Sequence, residues 1–162
     1  MVELQERPSV PVADEPLTAL SSVFGDAHLR DKVQRLENIM FQMPEHVTEL
    51  PTRHIFAQGL YARELTIPKG MVASGKVHCQ EHIFIVSKGD ISVLTEDGPQ
   101  RVQAPYILVT QPGTKRVVFA HEETVVTTVH ATTETDVKAL ESELVVSSFE
   151  EFEVRRLASP GD

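Results

Sequence analysis

The sequence has no tryptophan, a single cysteine, and aromatic residues at only 6% of its 162 positions. A lone Cys79 excludes a disulfide framework within one chain and fits a reducing compartment. No apolar run approaches the roughly 18 residues that suggest a membrane span, so no membrane partner is expected. The opening MVELQERPSVPVADEP lacks a basic stretch followed by an apolar one, so it does not read as a secretory leader. Positive charge is scarce as well: 15 Lys and Arg stand against 24 Asp and Glu, a formal charge of −9. With no Lys/Arg cluster to offset that balance, a nucleic-acid partner is not expected. The expected location is the cytoplasm.

What is present suits one domain with a real core, since 162 residues with 41% hydrophobic content suffice for one and are short for two. Residues 1–25 hold Pro8, Pro11 and Pro16 with little periodicity, and read as a mobile tail. Residues 26–43 place Leu29, Val33, Leu36, Met40 and Met43 at helical spacing, with Asp26 as N-cap and Pro44 as the stop. That apolar stripe must be covered, by the body of the domain or by a second copy of the chain. From residue 44 to 133 the pattern switches to period two. Strands are expected at His54–Ala57, Leu60–Ile67, His82–Val86, Asp90–Thr95, Gln100–Val102, Tyr106–Thr110, Arg116–Ala120 and Thr124–His130. Turn signals separate them, with Thr95–Gly98 (TEDG) a strong hairpin signal. Many short strands of this kind indicate an antiparallel sandwich or small barrel. Residues 134–162 read as a short capped helix in TETDVKALESEL, then an edge strand or docking arm in VVSSFEEFEVRRL.

The most informative stretch is GMVASGKVHCQEHIFIVSKG, Gly70 to Gly89, with His78 and His82 four residues apart. Its spacing resembles the first motif of the cupin superfamily: glycine, five residues, histidine, one residue, histidine, three or four residues, glutamate, six residues, glycine. The places fall on Gly70, Lys76, His78, His82 and Gly89. The second motif, fifteen residues on, lands on Pro105, Gln111, Gly113, Arg116 and Ala120. The turn glycines and one histidine are therefore kept. Lys76 stands for the first metal histidine, His82 for the glutamate, Arg116 for the second-motif histidine and Ala120 for the asparagine. The resemblance spans residues 55–131 and implies a cupin-type antiparallel β-barrel, a jelly roll, with an N-terminal helix and a C-terminal helix and extension. YARELTIPKG, HCQEHIFIVSKGDISVLTEDG and PGTKRVVFAHEETVVTTVH also resemble small cupin-like proteins of bacteriophages and prophages. That likeness implies a host-cytoplasm or virion location and phage or host protein partners. Cupins commonly pair through sheet edges, which implies a homo-oligomer.

Strand parity sets His82, Phe84 and Val86 on one face, Thr124, Val126, Thr128 and His130 on another, and Tyr61, Arg63, Leu65 and Ile67 on a third. In a cupin barrel these faces turn inward, bringing His78, His82, Arg116 and His130 toward one cavity. Three uses of that cavity are open. His78 and His82, with His130 or Glu81 as the third ligand, would hold a divalent metal such as Zn, Fe, Ni or Mn, with a position left for substrate. Alternatively Arg63, Lys76 and Arg116, with Tyr61, would bind a small carboxylate or phosphate. In the third case the cavity is vestigial and the chain is an interaction or phage structural protein. Whether the chain is an enzyme is open; a catalytic metal would serve as Lewis acid or oxygen-activating centre. Cys79 reads as a small apolar filler, His121 as solvated, and His28, His46 and His54 as isolated. Glu134, Asp136, Glu141 and Glu143 read as a solvated helix face.

Overall fold

A computed structural model describes residues 10–11, 28–44 and 49–159. In chain order these form β1 (Val10–Pro11), α1 (Leu29–Gln42), β2 (Thr52–Ala57), β3 (Leu60–Ile67), β4 (Val72–Ser74), β5 (Val77–His78), β6 (His82–Lys88) and β7 (Asp90–Thr95). There follow β8 (Gly98–Gln103), β9 (Tyr106–Thr110), β10 (Val117–Ala120), β11 (Thr124–Ala131), α2 (Val137–Leu144), β12 (Val145–Val146) and α3 (Phe149–Ala158). Two five-stranded antiparallel sheets carry the fold, ordered β1-β8-β7-β10-β4 and β2-β3-β11-β6-β9. A two-stranded pair, β12-β5, joins the C-terminal segment to the barrel.

The period-two pattern explains why the sheets face each other. Ile67, Phe84, Val86 and Val126 from one sheet interlock with Ile91, Val102, Val118 and Ala120 from the other in one buried cluster. These are the same-parity residues that the strand pattern assigns to the inner face. Gly89 turns β6 into β7 with φ +94°, a conformation that side chains rarely adopt. A Cβ there would also meet the Glu123 carbonyl at 2.6 Å, so the turn position admits glycine alone. The expected TEDG hairpin forms, with Thr95 opposite Gly98 in the β7–β8 register.

Helix α1 lies on the outer face of the first sheet, where Val33 and Leu36 pack with Leu94 and Val117. Its own domain therefore covers the stripe, though only over its first turns, and Met43 is exposed. The helix begins at Leu29, with His28 at the N-cap position and no side-chain cap. The proposed Asp26 cap lies outside the described residues. Beneath the helix, Lys115 Nζ meets Glu37 Oε2 at 2.6 Å, with side chains 2% and 10% exposed. Glu37 also accepts from Ser74 Oγ at 3.0 Å.

Two expectations need correction. The mobile tail expected over residues 1–25 lies mostly outside the described residues, but Val10 and Pro11 pair with Arg101 and Gln100 as a short strand. The segment VVSSFEEFEVRRL is not an edge strand or loose arm beyond its first two residues. Ser148 caps a helix, accepting from the Glu151 amide at 3.1 Å, while Glu151 reaches back to the Ser147 amide. That helix, α3, seats Phe152 against Val77 and Val146.

Candidate metal centre

The antiparallel register builds the site. Tyr61 pairs with His130 across β3 and β11, and His82 pairs with Thr110 across β6 and β9. Between β11 and β6, Val129 pairs with Ile83, so one step further along the ladder His130 lies beside His82. One row across four strands thus reads Tyr61, His130, His82, Thr110, at the end of the inner face beyond the apolar core. Tyr61, His82 and His130 are each 3% exposed.

His78 arrives from outside this sheet. It sits on β5, paired with Val145, and its backbone is gripped from both sides. The His78 amide donates to the Thr114 carbonyl at 3.0 Å, and the Gly113 amide donates to the His78 carbonyl at 2.7 Å. Next along the chain, the Cys79 amide donates to the Leu144 carbonyl at 2.8 Å. Gly113 has φ +83° and lies against the Phe152 ring, where a Cβ would come within 2.9 Å. The glycine of the second motif is therefore needed both for the turn and for the closeness of α3.

The three imidazoles stack on one another. Ring centroids are 4.0 Å apart for His78 and His82, 4.7 Å for His82 and His130, and 5.5 Å for His78 and His130. One ring nitrogen from each lies within 4.8 Å of the others. Three buried ring nitrogens, His78 Nδ1, His82 Nε2 and His130 Nδ1, have no hydrogen-bond partner. His82 Nδ1 faces the Gln80 carbonyl at 3.1 Å. A carbonyl only accepts, so this nitrogen carries the proton and Nε2 keeps its lone pair. Burial pushes all three pKa values down, to about 2 for His78 and about 4 for His130. Mutual repulsion and the Arg116 and Arg63 charges add to this for His78.

Enclosed neutral imidazoles with unused lone pairs fit a divalent cation. A shared ion would draw the three nitrogens closer and turn the stacked rings toward it. The backbone bond to His82 is the kind of outer support that fixes a ligating tautomer. Glu81, the alternative third ligand, is exposed and accepts from Gln111 Nε2 at 3.0 Å.

Arg116 is drawn into the same end of the barrel. Its Nη2 donates to Thr110 Oγ1 at 2.8 Å, and its guanidinium lies 4.5 Å over the Phe84 ring. Burial lowers its pKa to about 10. Of the other suggested anion ligands, Tyr61 stacks on His130 at 6.2 Å and Arg63 acts electrostatically on His78 and His130, while Lys76 lies apart. Lys76 stands on the surface with Nζ 4.0 Å from Glu141, because the chain bends between β4 and β5 and breaks the parity with His78. Arg63 has inner-face parity, opposite Thr128, but is exposed. Tyr61 is buried against Leu140 and Leu144 of α2, and its hydroxyl lies 2.7 Å from His54 Nδ1.

The solved structures that this chain resembles are cupin domains. They include a cupin-2 domain containing protein from Shewanella frigidimarina, at 14% identity and TM-score 0.42 over 60% of this chain and 92% of that one. A Cupin 2 conserved barrel domain protein from Salinispora arenicola matches at 14% and 0.43 over 65% and 84%. The Cnp3 cupin domain of Schizosaccharomyces pombe matches at 16% and 0.43 over 60% and 72%. At such identities the likeness is one of fold alone. No protein-family model matches the sequence, and no curated protein matches it significantly.

The three histidines and Arg116 reach this end of the fold from different elements. His78 and His82 occupy motif positions, His130 comes from a strand outside both motifs, and Arg116 holds the second-motif histidine position. Thr110 and Phe84, which hold Arg116, are absent from the sequence-based set, as is His54 behind Tyr61. The ladder partner of His82 would have pointed to Thr110, but only once β6 and β9 are known to pair. His121 is not solvated either: its Nε2 lies 2.8 Å from Ser92 Oγ.

Proposed function

We propose that this protein is a cupin-like metal-binding protein, with His78, His82 and His130 as ligands of one divalent ion such as Zn, Fe, Ni or Mn. The observation that carries the reading is the set of three enclosed ring nitrogens without partners. Three protein ligands leave a position for a small molecule beside Arg116, and a metal there would polarise that ligand as a Lewis acid. Within the chain, β5 and the 113–114 turn hold His78, and the Gln80 carbonyl holds the His82 tautomer. Purified protein loaded with Zn, then Mn, and dialysed should retain about one equivalent by elemental analysis. His82→Ala and His130→Ala should each weaken retention by about 100-fold or more. Substoichiometric metal that neither substitution alters would sink the reading.

Self-association is a second reading, favoured by the outer face of the second sheet. Val109, Ile83, Val129, Ala62 and Ile55 form one ladder row there. Ile55, Ile83 and Val109 are 43%, 42% and 53% exposed. Apolar residues on both faces of an antiparallel sheet call for a cover on each. Light scattering should give a dimer or larger species that Ile83→Lys converts to monomer; a monomeric parent chain at high micromolar concentration would refute it. Phage or prophage origin, with phage or host proteins as partners, rests on the sequence resemblance of three stretches.

A further inference from the structure

The charge around Arg116 is unbalanced. Among the described residues, its hydrogen-bond partner is the Thr110 hydroxyl and its ring contact is Phe84, and no carboxylate lies at ion-pair distance. Arg116 is half-buried, and a guanidinium drawn that far from water ordinarily has an acid partner, because an isolated charge is costly to desolvate. Here the neighbouring polar groups are the Tyr106 phenol and the imidazoles of His78 and His82, which interact with Arg116 electrostatically. They are neutral and supply no counter-charge. A divalent ion on the three histidines would make the imbalance worse, adding two positive charges to one within a mostly apolar enclosure. Arginine offers five N–H donors in a planar fork, and the Thr110 bond uses one.

Resting on the metal reading above, we propose that the metal is bound together with a small carboxylate, one oxygen on the open metal position and the other on the Arg116 fork. The carboxylate supplies the counter-charge that the chain omits, and the planar fork matches its two oxygens. Thr110 is the positioning residue, since its hydroxyl fixes the guanidinium beside His82. One half-buried guanidinium fork, with Arg63 exposed, suits a monoanion better than a phosphate, which would call for several donors. Metal and carboxylate are then thermodynamically coupled: each tightens the other by the same factor.

The test titrates the intact chain with Co(II), whose visible spectrum reports its coordination, in buffer free of carboxylate and phosphate. Acetate, inorganic phosphate and neutral acetamide are the added probes. Acetate should change the Co(II) spectrum saturably and tighten Co(II) binding by about ten-fold, within the usual range for coupled sites. Acetamide should do neither. Arg116→Met should bind Co(II) more tightly than the parent in plain buffer, because a repelling charge is gone, and should lose the acetate response. Arg116→Lys, which keeps charge without the fork, should retain a weakened response. A purely structural Arg116 would instead weaken Co(II) binding in both variants, and that result overturns the proposal. A parent protein that takes up Co(II) without responding to acetate overturns it while leaving the metal reading intact. A phosphate response stronger than that of acetate overturns the carboxylate assignment. Failure to take up Co(II) at all removes the metal reading and this inference with it.

Discussion

Metal-free protein should lose stability steeply as the pH falls below about 6.5, well before ordinary carboxylates titrate. In the unfolded chain each histidine of the cluster protonates near 6.5. In the folded chain burial holds His78 at about 2 and His130 at about 4, with His82 also lowered. Between these limits the unfolded state binds more protons, so acid favours unfolding. The stability is fully present above about 6.5 and is lost progressively below it. Each such group contributes ~1.4 kcal/mol per pH unit, so His78 and His130 together approach roughly 3 kcal/mol per unit, and His82 acts in the same direction. That slope is large against the 5–15 kcal/mol by which domains are usually stable. Asp90 works in a lower window. Its bidentate bond to Arg101 depresses its pKa, so its contribution is lost only as pH falls through the carboxylate range. Urea midpoints measured from pH 8 to 4.5 should therefore fall from 6.5 downward, and His130→Phe should flatten the slope by about one proton. A flat profile between pH 7 and 5 would contradict an enclosed, neutral cluster.

Lys115→Met should be the most damaging single change outside the histidine cluster. It leaves the Glu37 carboxylate enclosed between α1 and the first sheet with only the Ser74 hydroxyl, at 3.0 Å, as a hydrogen-bond partner. Breaking one side of a buried pair costs about 3–5 kcal/mol, whereas replacing both sides with apolar groups is often neutral. Calorimetry should show a fall in Tm of about 10 °C for Lys115→Met. Most of that should return in Lys115→Met/Glu37→Leu, whose chains meet as apolar groups. A double variant no better than the single one would show that the lysine acts through packing of its stem, not through its charge.

Much of the fold was legible in the sequence because the glycines mark it. Gly70, Gly89, Gly98 and Gly113 all adopt positive φ, and the alternation between them matches the buried inner faces. Of the candidate site, His78, His82, His130 and Arg116 lie at the same end of the barrel as parity and motif spacing implied. What the sequence left open was whether His130 or Glu81 lies beside His78 and His82, because it does not reveal that β6 pairs with β11 in the register that sets His130 next to His82. Lys76 was placed by motif spacing alone, and in the structure it falls between β4 and β5 with an exposed side chain. Helix α3 was missed for a different reason. The Val145–Val146 pair just before it is made of strand-forming residues, and these outweighed the Ser148–Glu151 capping pair that follows.

The grip on His78 also sets an order of assembly. Its strand partner Val145, the Leu144 carbonyl behind Cys79 and the Phe152 ring under Gly113 all come from the far end of the chain. Both five-stranded sheets are complete by Ala131, before any of these residues has been synthesised. A growing chain can thus close its sandwich, and bring His82 beside His130, while His78 has only its Gly113 and Thr114 bonds and lacks the C-terminal half of its clamp. Completion of the three-histidine cluster is a late event in translation, and a chain stopped at Ala131 would carry the sheets without the finished cluster.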